Sequence, residues 1–554
     1  MIAAEPPACP PLPALDRRAL IRGGLAGAGL ALAAPLAAQA GPQGFTSGVA
    51  SGEPAANSVL LWTRYVGQSD ARLRWEVSET ADFRSIASGG EVTASPERDF
   101  CCKPAASGLA PGRWHYFRFI APDGTVSDIG RTRTLPQGRT ARFRMAVFSC
   151  SNIGFGWFNA YAHAAAADDF DCVLHLGDYL YEYPPGTYPT AAQLLAGRGV
   201  EPAHEIVALA DYRARYAQYH RDPDLRRLRQ LFPMIATPDD HESANDSWEG
   251  GAENHQPASE GPWSARKAAA QRAYREWLPV SDADWARYEI GDLATLFRLE
   301  TRLTGRAQQF HVGRLLAGKT GPGEAEAALA AFREGSWRDP ARAMIGAGQQ
   351  AWLAEGLMAS RRAGKMWQVL VQQVLMGSLR TPLDVADWAG PDLPDFVRAR
   401  VASSLAASRA GLPMNMDAWD GYPAARSRLF AAAQAADANL ISLAGDSHNA
   451  WGFDLAEGGK AVGVEFGGHS VTSPGFESTF PRVDPARIAG ALRETSPGLV
   501  YADTARRGYM AVELTRTAAR AEYRFMETVR RKGMALAGTQ TLITRPGHRT
   551  LAAA

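Results

Sequence analysis

The stretch His175-Leu176-Gly177-Asp178-Tyr179-Leu180-Tyr181 decides how the rest of this chain is read. It follows Asp171-Cys172-Val173-Leu174, a short apolar run that reads as a buried strand. A Gly-Asp pair at the carboxyl end of such a strand sets a carboxylate on the rim of a sheet, where α/β proteins bind ligands. Three residues on, Tyr181 offers a phenol to the same point. One carboxylate and one phenol only hint at a metal, so the other strand ends matter.

Three of them use the same vocabulary. Residues 143–148 read as a strand ending at Ser149-Cys150-Ser151-Asn152, and residues 158–167 as a helix that leads to the next strand. Strand, helix, strand is the unit of a parallel or mixed sheet. Residues 232–237 form a strand running into Pro238-Asp239-Asp240-His241-Glu242-Ser243-Ala244-Asn245-Asp246, too polar a run for packing to explain. The last is Leu440-Ile441-Ser442-Leu443-Ala444-Gly445-Asp446-Ser447-His448. Between and after these, residues 211–231 read as one helix with Tyr212, Tyr216 and Tyr219 as packing, and 263–277 and 348–359 as helices. Strands are expected at 294–300, 367–375, 508–514 and 520–528, and His175 as a hydrogen-bonded core residue outside the site.

Upstream, residues 45–136 read as short strands separated by turns. Leu73, Trp75 and Val77 alternate with Arg72, Arg74 and Glu76, the period of a half-buried strand. Strands at this spacing without helices point to a β-sandwich with a packing role.

Parallel strands deliver their carboxyl ends to one edge, so Cys150, Asp178, Tyr181, Asp240, His241, Asn245, Asp446 and His448 can meet although far apart in sequence. Hard oxygen donors favour Fe³⁺, Ca²⁺, Mg²⁺ or Mn²⁺. A thiolate and a phenolate on one ion argue for trivalent iron, since both need a strongly polarising cation to stay deprotonated. Asp178 suits a bridge between two ions. The use of such a site is hydroxide generated at neutral pH and charge clamped on the attacked centre, the two-metal logic of phosphoester hydrolysis. No Gly-x-Ser-x-Gly elbow offers a protein nucleophile.

Composition sets the class. The 554 residues are 46% hydrophobic and 21% charged, an ordinary globular balance with room for more than one core. A net charge of +1 gives no case for nucleic acid or an anionic membrane as partner. Arg17-Arg18 followed by an apolar Gly/Ala/Leu run and Ala38-Gln39-Ala40 reads as a twin-arginine export signal, cleaved after Ala40. A soluble exported protein with no membrane span after processing, handled by the twin-arginine machinery, is expected in the periplasm or outside the cell. Five cysteines are too few for a disulfide scaffold: Cys9 goes with the signal, Cys101 and Cys102 are neighbours, and Cys172 is a strand filler.

The ordered motifs Phe-Ser-Cys-Ser-Asn at 148–152, His-Leu-Gly-Asp-Tyr-Leu-Tyr-Glu at 175–182, Asp-Asp-His-Glu at 239–242 with Asn245, and Gly-Asp-Ser-His-Asn at 445–449 resemble the PhoD-type alkaline phosphatases and phosphodiesterases, a branch of the calcineurin-like metallophosphatases. The resemblance extends to Ser47-Gly48-Val49-Ala50-Ser51-Gly52-Glu53-Pro54, Leu61-Trp62-Thr63-Arg64, Asp417-Ala418-Trp419-Asp420-Gly421-Tyr422-Pro423 and Ser470-Val471-Thr472-Ser473-Pro474-Gly475. It implies an α/β (α+β) metallophosphatase sandwich of two mixed β-sheets flanked by helices, preceded by an immunoglobulin- or fibronectin-like sandwich. The expected division is signal 1–40, front domain 41–138 and catalytic domain 139–554. It further implies an Fe³⁺ and Ca²⁺ site and a phosphate ester substrate. By motif, Cys150, Asp178, Tyr181 and Asp446 resemble iron-side ligands, Asp178 also reaching calcium; Asp240 and Asn245 resemble calcium-side donors, and His448 is a ligand or its neighbour. His241 would orient phosphate or protonate the leaving oxygen, and Arg302 would hold the non-bridging oxygens. Pro238, Glu300 and Gly467-Gly468-His469 depart from the family pattern, the last two being expected on the pocket wall. Competing readings are a phosphodiesterase of phospholipase D-like specificity and a calcium- or phosphate-binding homologue without turnover.

Overall fold

Alternation shapes the front of the chain. In Ala71–Ser78, Leu73, Trp75 and Val77 are buried while Arg72 and Arg74 face out, as the two-residue strand period requires. Glu76, on the outer face, is held by Arg118 at 2.8 Å. This strand is central to a four-stranded antiparallel sheet with Ile86–Ala94, Trp114–Ile120 and Gly130–Arg133. The sheet packs through Leu73, Val77, Phe117 and Phe119 onto Val49, Val59 and Leu61 of Gly44–Gly52 and Ser58–Val66. That opposing layer is not a private sheet. Ser51 and Gly52 pair in parallel with Pro233 and Met234, so the front layer runs into the sheet behind it. The computed structural model describes residues 43–319, 321, 323–388 and 395–554; the expected twin-arginine signal and Cys9 lie outside these.

The larger sheet has 11 strands among the described residues. At its centre Arg142–Phe148, Cys172–His175 and Pro233–Ala236 run parallel. Gly508–Thr515 and Ala519–Met526 extend it in antiparallel sense. The second sheet has seven strands among the described residues, with Ala294–Arg298, Trp367–Val371, Leu440–Ala444 and Lys460–Gly467 parallel. Parallel strands are covered on both faces, which is why their sequences are nearly unbroken apolar runs. Met145, Val147, Leu174 and Ile235 from one sheet meet Leu296, Val369, Ile441 and Leu443 from the other in a shared core. Burying one such side chain stabilises by about 1.5–3 kcal/mol.

Helices close the outer faces, giving an α/β fold. Asn159–Ala167, Leu209–Tyr219 and Trp263–Trp277 cover the larger sheet; Ala347–Arg362 and Pro423–Ala435 cover the smaller. Tyr212, Tyr216 and Tyr219 are fully buried in that packing. The single helix expected over 211–231 is two, Leu209–Tyr219 and Pro223–Leu231. Asp222 caps the second, accepting from the Asp224 and Leu225 backbone N–H groups, and Pro223 has no N–H with which to continue the first. The hairpin Ala450–Glu457 with Lys460–Gly467, turned at Gly458-Gly459, was not anticipated. No helix of the described residues is long and apolar enough to cross a membrane.

Candidate metal centre

Four strand ends meet at one edge because glycines let them. At Gly177, with φ 102°, an added Cβ would collide with Asp239 in the neighbouring strand's loop. At Gly445 it would lie 2.7 Å from the Ser149 Cβ, across the two sheets. Beyond these close approaches the backbone turns left-handed at Cys150, Asp178, Asp446 and His448, with φ of 59°, 53°, 62° and 62°. Such conformations cost a non-glycine residue about 1–3 kcal/mol and gather where function requires them.

The turns aim the side chains at one another. Ligand atoms of Cys150, Asp178 and His448 lie within 4.8 Å of one another; so do those of Asp178, Asp240 and His241, and those of Asp239, Asp240 and Asp446. Asp178 and Asp240 each belong to two of these groups. Tyr181 joins them, its hydroxyl 3.0 Å from Asp178 Oδ2, 3.2 Å from His448 Nε2 and 2.6 Å from Ser473 Oγ. Asn245 lies on the same cavity wall, its Nδ2 donating to Glu253 at 3.1 Å. The structure therefore groups His448 with Cys150, and Asp446 with Asp239 and Asp240, whereas the motif reading set Asp446 beside Cys150.

The electrostatics are those of a cation site. Asp178 Oδ1, Asp239 Oδ2 and Asp240 Oδ1 are buried without a hydrogen-bond partner, an arrangement expensive to maintain unless another charge meets them. Burial, then the Asp178 charge, pushes the Cys150 thiol and the Tyr181 phenol well up, so each needs a strong cation to ionise. Burial also pushes Asp178 and Asp446 well up. Asp240 differs: burial raises it, but Arg302 and His241 prevail and hold it at about 2. Burial, then Arg507, pulls His448 down to about 3 and keeps it neutral. Its Nδ1 lies 2.9 Å from the Pro474 carbonyl and 3.0 Å from the Tyr188 hydroxyl. With Nδ1–H donated to that carbonyl, Nε2 is left as a ligand nitrogen, the arrangement metal-binding histidines adopt. The residues fit a metal.

His241 belongs to one of these groups and differs from its other members in being tied to a carboxylate of its own. Its Nδ1 lies 2.7 Å from Glu182 Oε2, on a carboxylate that is fully buried. Burial opposes its charge, but Glu182, Asp240 and Asp178 raise its pKa well above the ordinary value. Glu182 also accepts from the Asn245 backbone N–H at 2.8 Å and from Asn254 Nδ2 at 2.9 Å. Arg302 is brought to the cluster from beneath, fully buried. Its Nε donates to Asp239, one terminal nitrogen to Asp417 at 2.6 Å and the other to Asp446 at 3.2 Å. These bonds occupy the guanidinium as a counter-ion, and Arg302 is not among the residues of the cavity wall. Glu300 holds the Arg302 loop by accepting the backbone N–H groups of Arg302, Leu303 and Thr304. Contrary to expectation, neither Glu300 nor His469 lies on the main cavity wall; His469 bonds the Arg524 carbonyl and packs on Phe525 behind it.

Sequence reasoning passed over Asp239, Glu182, Glu242 and Tyr188. Glu242 accepts the backbone N–H groups of Asp178, Tyr179 and Asp239 and so ties two strand-end loops together. Cys101, Cys102 and Cys172 are buried and free.

A family model described as PhoD-like phosphatase matches residues 145–523, and a second, the PhoD-like phosphatase N-terminal domain, matches 30–136. Alkaline phosphatase D of Bacillus subtilis (strain 168) is 30% identical over 558 aligned positions, covering 94% of this chain and 86% of that protein. A solved structure described as the structure of PhoD superposes with a TM-score of 0.74 at 28% identity, covering 93% of this chain and 92% of its own. The chain belongs to the PhoD-like phosphatase family and is a metal-dependent phosphoric ester hydrolase.

Proposed function

We propose that this protein is an exported alkaline phosphatase that hydrolyses phosphate monoesters, diesters or both for phosphate acquisition. The observation that carries the reading is the convergence of three ligand groups on Asp178 and Asp240, one of them including His241, whose pKa the neighbouring carboxylates raise above its ordinary value. Cys150, Asp178, Tyr181 and His448 would hold Fe³⁺; Asp178, Asp240, Asp446 and Asn245 would hold Ca²⁺. When bound, such ions supply Lewis acidity toward the phosphoryl oxygens and a water of lowered pKa. The thiol and phenol favour Fe³⁺ because burial has made both hard to ionise.

The protein's own part is positional. Asp178 and Asp240 bring negative charge that the ions neutralise. Glu182 takes Nδ1 of His241, which leaves Nε2 as the nitrogen offered to the cavity that His241 lines. A protonated His241 there orients phosphate and delivers a proton to the departing oxygen, the role of a general acid. Arg302 stabilises the acid cluster from below and keeps Asp239 and Asp446 in place.

The test is hydrolysis of a mono-aryl and a bis-aryl phosphate by the metal-loaded protein and by His241→Ala. Turnover that collapses in the variant supports the reading. Phosphate binding with no turnover in either protein identifies a binding homologue instead.

A further inference from the structure

The cavity at the metal centre holds about 550 Å³, well beyond what a phosphate group fills. Its polar end is the ligand cluster. The other end is apolar, formed by Trp451, Phe476, Phe480, Trp388, Leu379 and Val385. The aromatic members make a continuous wall. Trp451 meets Phe476 at 6.3 Å between ring centroids, Phe476 stacks on Phe480 at 6.4 Å, and Phe480 meets Trp388 edge-on at 5.4 Å. The wall is fastened to the ligand loops. Trp451 Nε1 donates to Ser447 Oγ at 2.6 Å, the Phe476 N–H donates to Asn449 Oδ1 at 3.3 Å, and His448 bonds the carbonyl of Pro474, two residues before Phe476. Beyond the catalytic end, the charged groups of the cavity are the exposed Arg400 and Asp420, whose carboxylate is taken by Arg426 and Ser378 at 2.7 Å each.

We propose that this arm binds an apolar organic group esterified to the phosphate, so that the enzyme prefers phosphate esters of aliphatic or aromatic alcohols to those of sugars or glycerol. The proposal rests on the phosphoesterase reading of the same site. The arm also carries the side chains of Thr381, Ser404 and Asn415, but a sugar ring laid on the aromatic wall exchanges most of its water for carbon and loses those hydrogen bonds without full replacement. An alkyl or aryl group gains by leaving water, by roughly fourfold in binding for each methylene fully buried. Phe476 is the specificity-determining residue, half-buried between Trp451 and Phe480 and nearest in sequence to the His448 contact.

The experiment compares propyl, hexyl and octyl phosphate, each below its micellar concentration, with glycerol phosphate, as monoesters and as methyl diesters. The straight-chain alcohols share one leaving-group acidity, so chain length alone varies. kcat/KM is expected to rise roughly two- to fourfold per added methylene, with glycerol phosphate below propyl phosphate. The octyl-to-propyl ratio should fall toward one in Phe476→Ala and remain intermediate in Phe476→Leu, a ratio that does not depend on the amount of folded protein. Phenyl phosphate against benzyl and cyclohexylmethyl phosphate separates an aromatic from an aliphatic occupant. A flat response to chain length in an enzyme that turns over every ester overturns the arm and leaves the phosphoesterase intact. No hydrolysis of any ester, with octyl phosphonate still bound more tightly than propyl phosphonate in calorimetry, overturns the phosphoesterase and leaves the arm.

Discussion

Glu182 Oε2 lies 2.7 Å from Nδ1 of His241, although 59 residues separate them in the chain. The carboxylate is fully buried and burial favours its neutral form, yet His241 and the bonds from Asn254 and Asn245 hold its pKa below the ordinary value. It fixes both the charge and the orientation of the ring. Glu182→Gln keeps the shape and removes the charge. It is expected to lower kcat by roughly 10- to 100-fold, as loss of such a supporting carboxylate does, with KM little changed. Steady-state kinetics at constant metal content checks this; a change under threefold would remove Glu182 from the machinery.

Asp178 belongs to two ligand groups at once. Asp178→Asn should abolish activity, by more than roughly a thousandfold, and leave the purified protein deficient in metal by elemental analysis. Circular dichroism verifies that it is folded. A metal-replete, active Asp178→Asn protein would sink the site.

A thiolate and a phenolate on Fe³⁺ absorb visible light, so the pure enzyme should be coloured. Tyr181→Phe should bleach or shift the band, and Cys150→Ser should shift it differently. Calcium chelators should inactivate reversibly while the colour remains. A colourless, fully active protein containing zinc, manganese or magnesium would exclude iron.

Arg302 separates a phosphate clamp from a buried counter-ion. Arg302→Met leaves the buried carboxylates of Asp239 and Asp240, and that of Asp446, without their arginine, while Asp417 keeps Arg306. The expected loss is about 3–5 kcal/mol of stability, seen as a lower denaturant midpoint. An unchanged midpoint with a raised KM would instead return Arg302 to direct contact with substrate.

His469 gives a pH dependence that lies away from the ligands. Burial pulls its pKa down to about 4, partly offset by the Arg524 carbonyl. Below the unfolded value near 6.5 the unfolded chain takes up a proton that the folded protein refuses until about pH 4. Stability from this group is therefore present above pH 6.5 and lost as pH falls toward 4. Denaturation midpoints at pH 7 and pH 5 should differ less in His469→Gln than in the parent, by about 2 kcal/mol. Equal pH sensitivity in both proteins would show that His469 is not neutral in the fold.

The strand-end site was legible because a parallel sheet has one ligand edge, and because Cys150, Asp178 and Asp446 each follow an apolar run. What the chain alone does not show is which strand end faces which. Asp446 lies beside Asp239 and Asp240 because the two sheets meet across Gly445 and Ser149, a contact made by tertiary packing. Glu182 was visible in the motif but carried no mark of its partner, since its role depends on a loop from another strand. Arg302 looked free in sequence, and only the fold brings four carboxylates around it. The boundary at 139 followed a change of texture, whereas the pairing of Ser51 with Pro233 crosses that boundary.

The pairing of Arg142–Phe148 with Gly508–Thr515 joins segments separated by most of the described chain. A ribosome has made the strands that lead to Cys150, Asp178 and Asp240 long before it makes the strand that covers their edge. Until then Arg142–Phe148 offers an open edge, and contacts of such large sequence separation form slowly. Completion of the sheet around the centre is thus a late event in folding, and chains cut short of residue 508 would carry that edge bare and prone to aggregate.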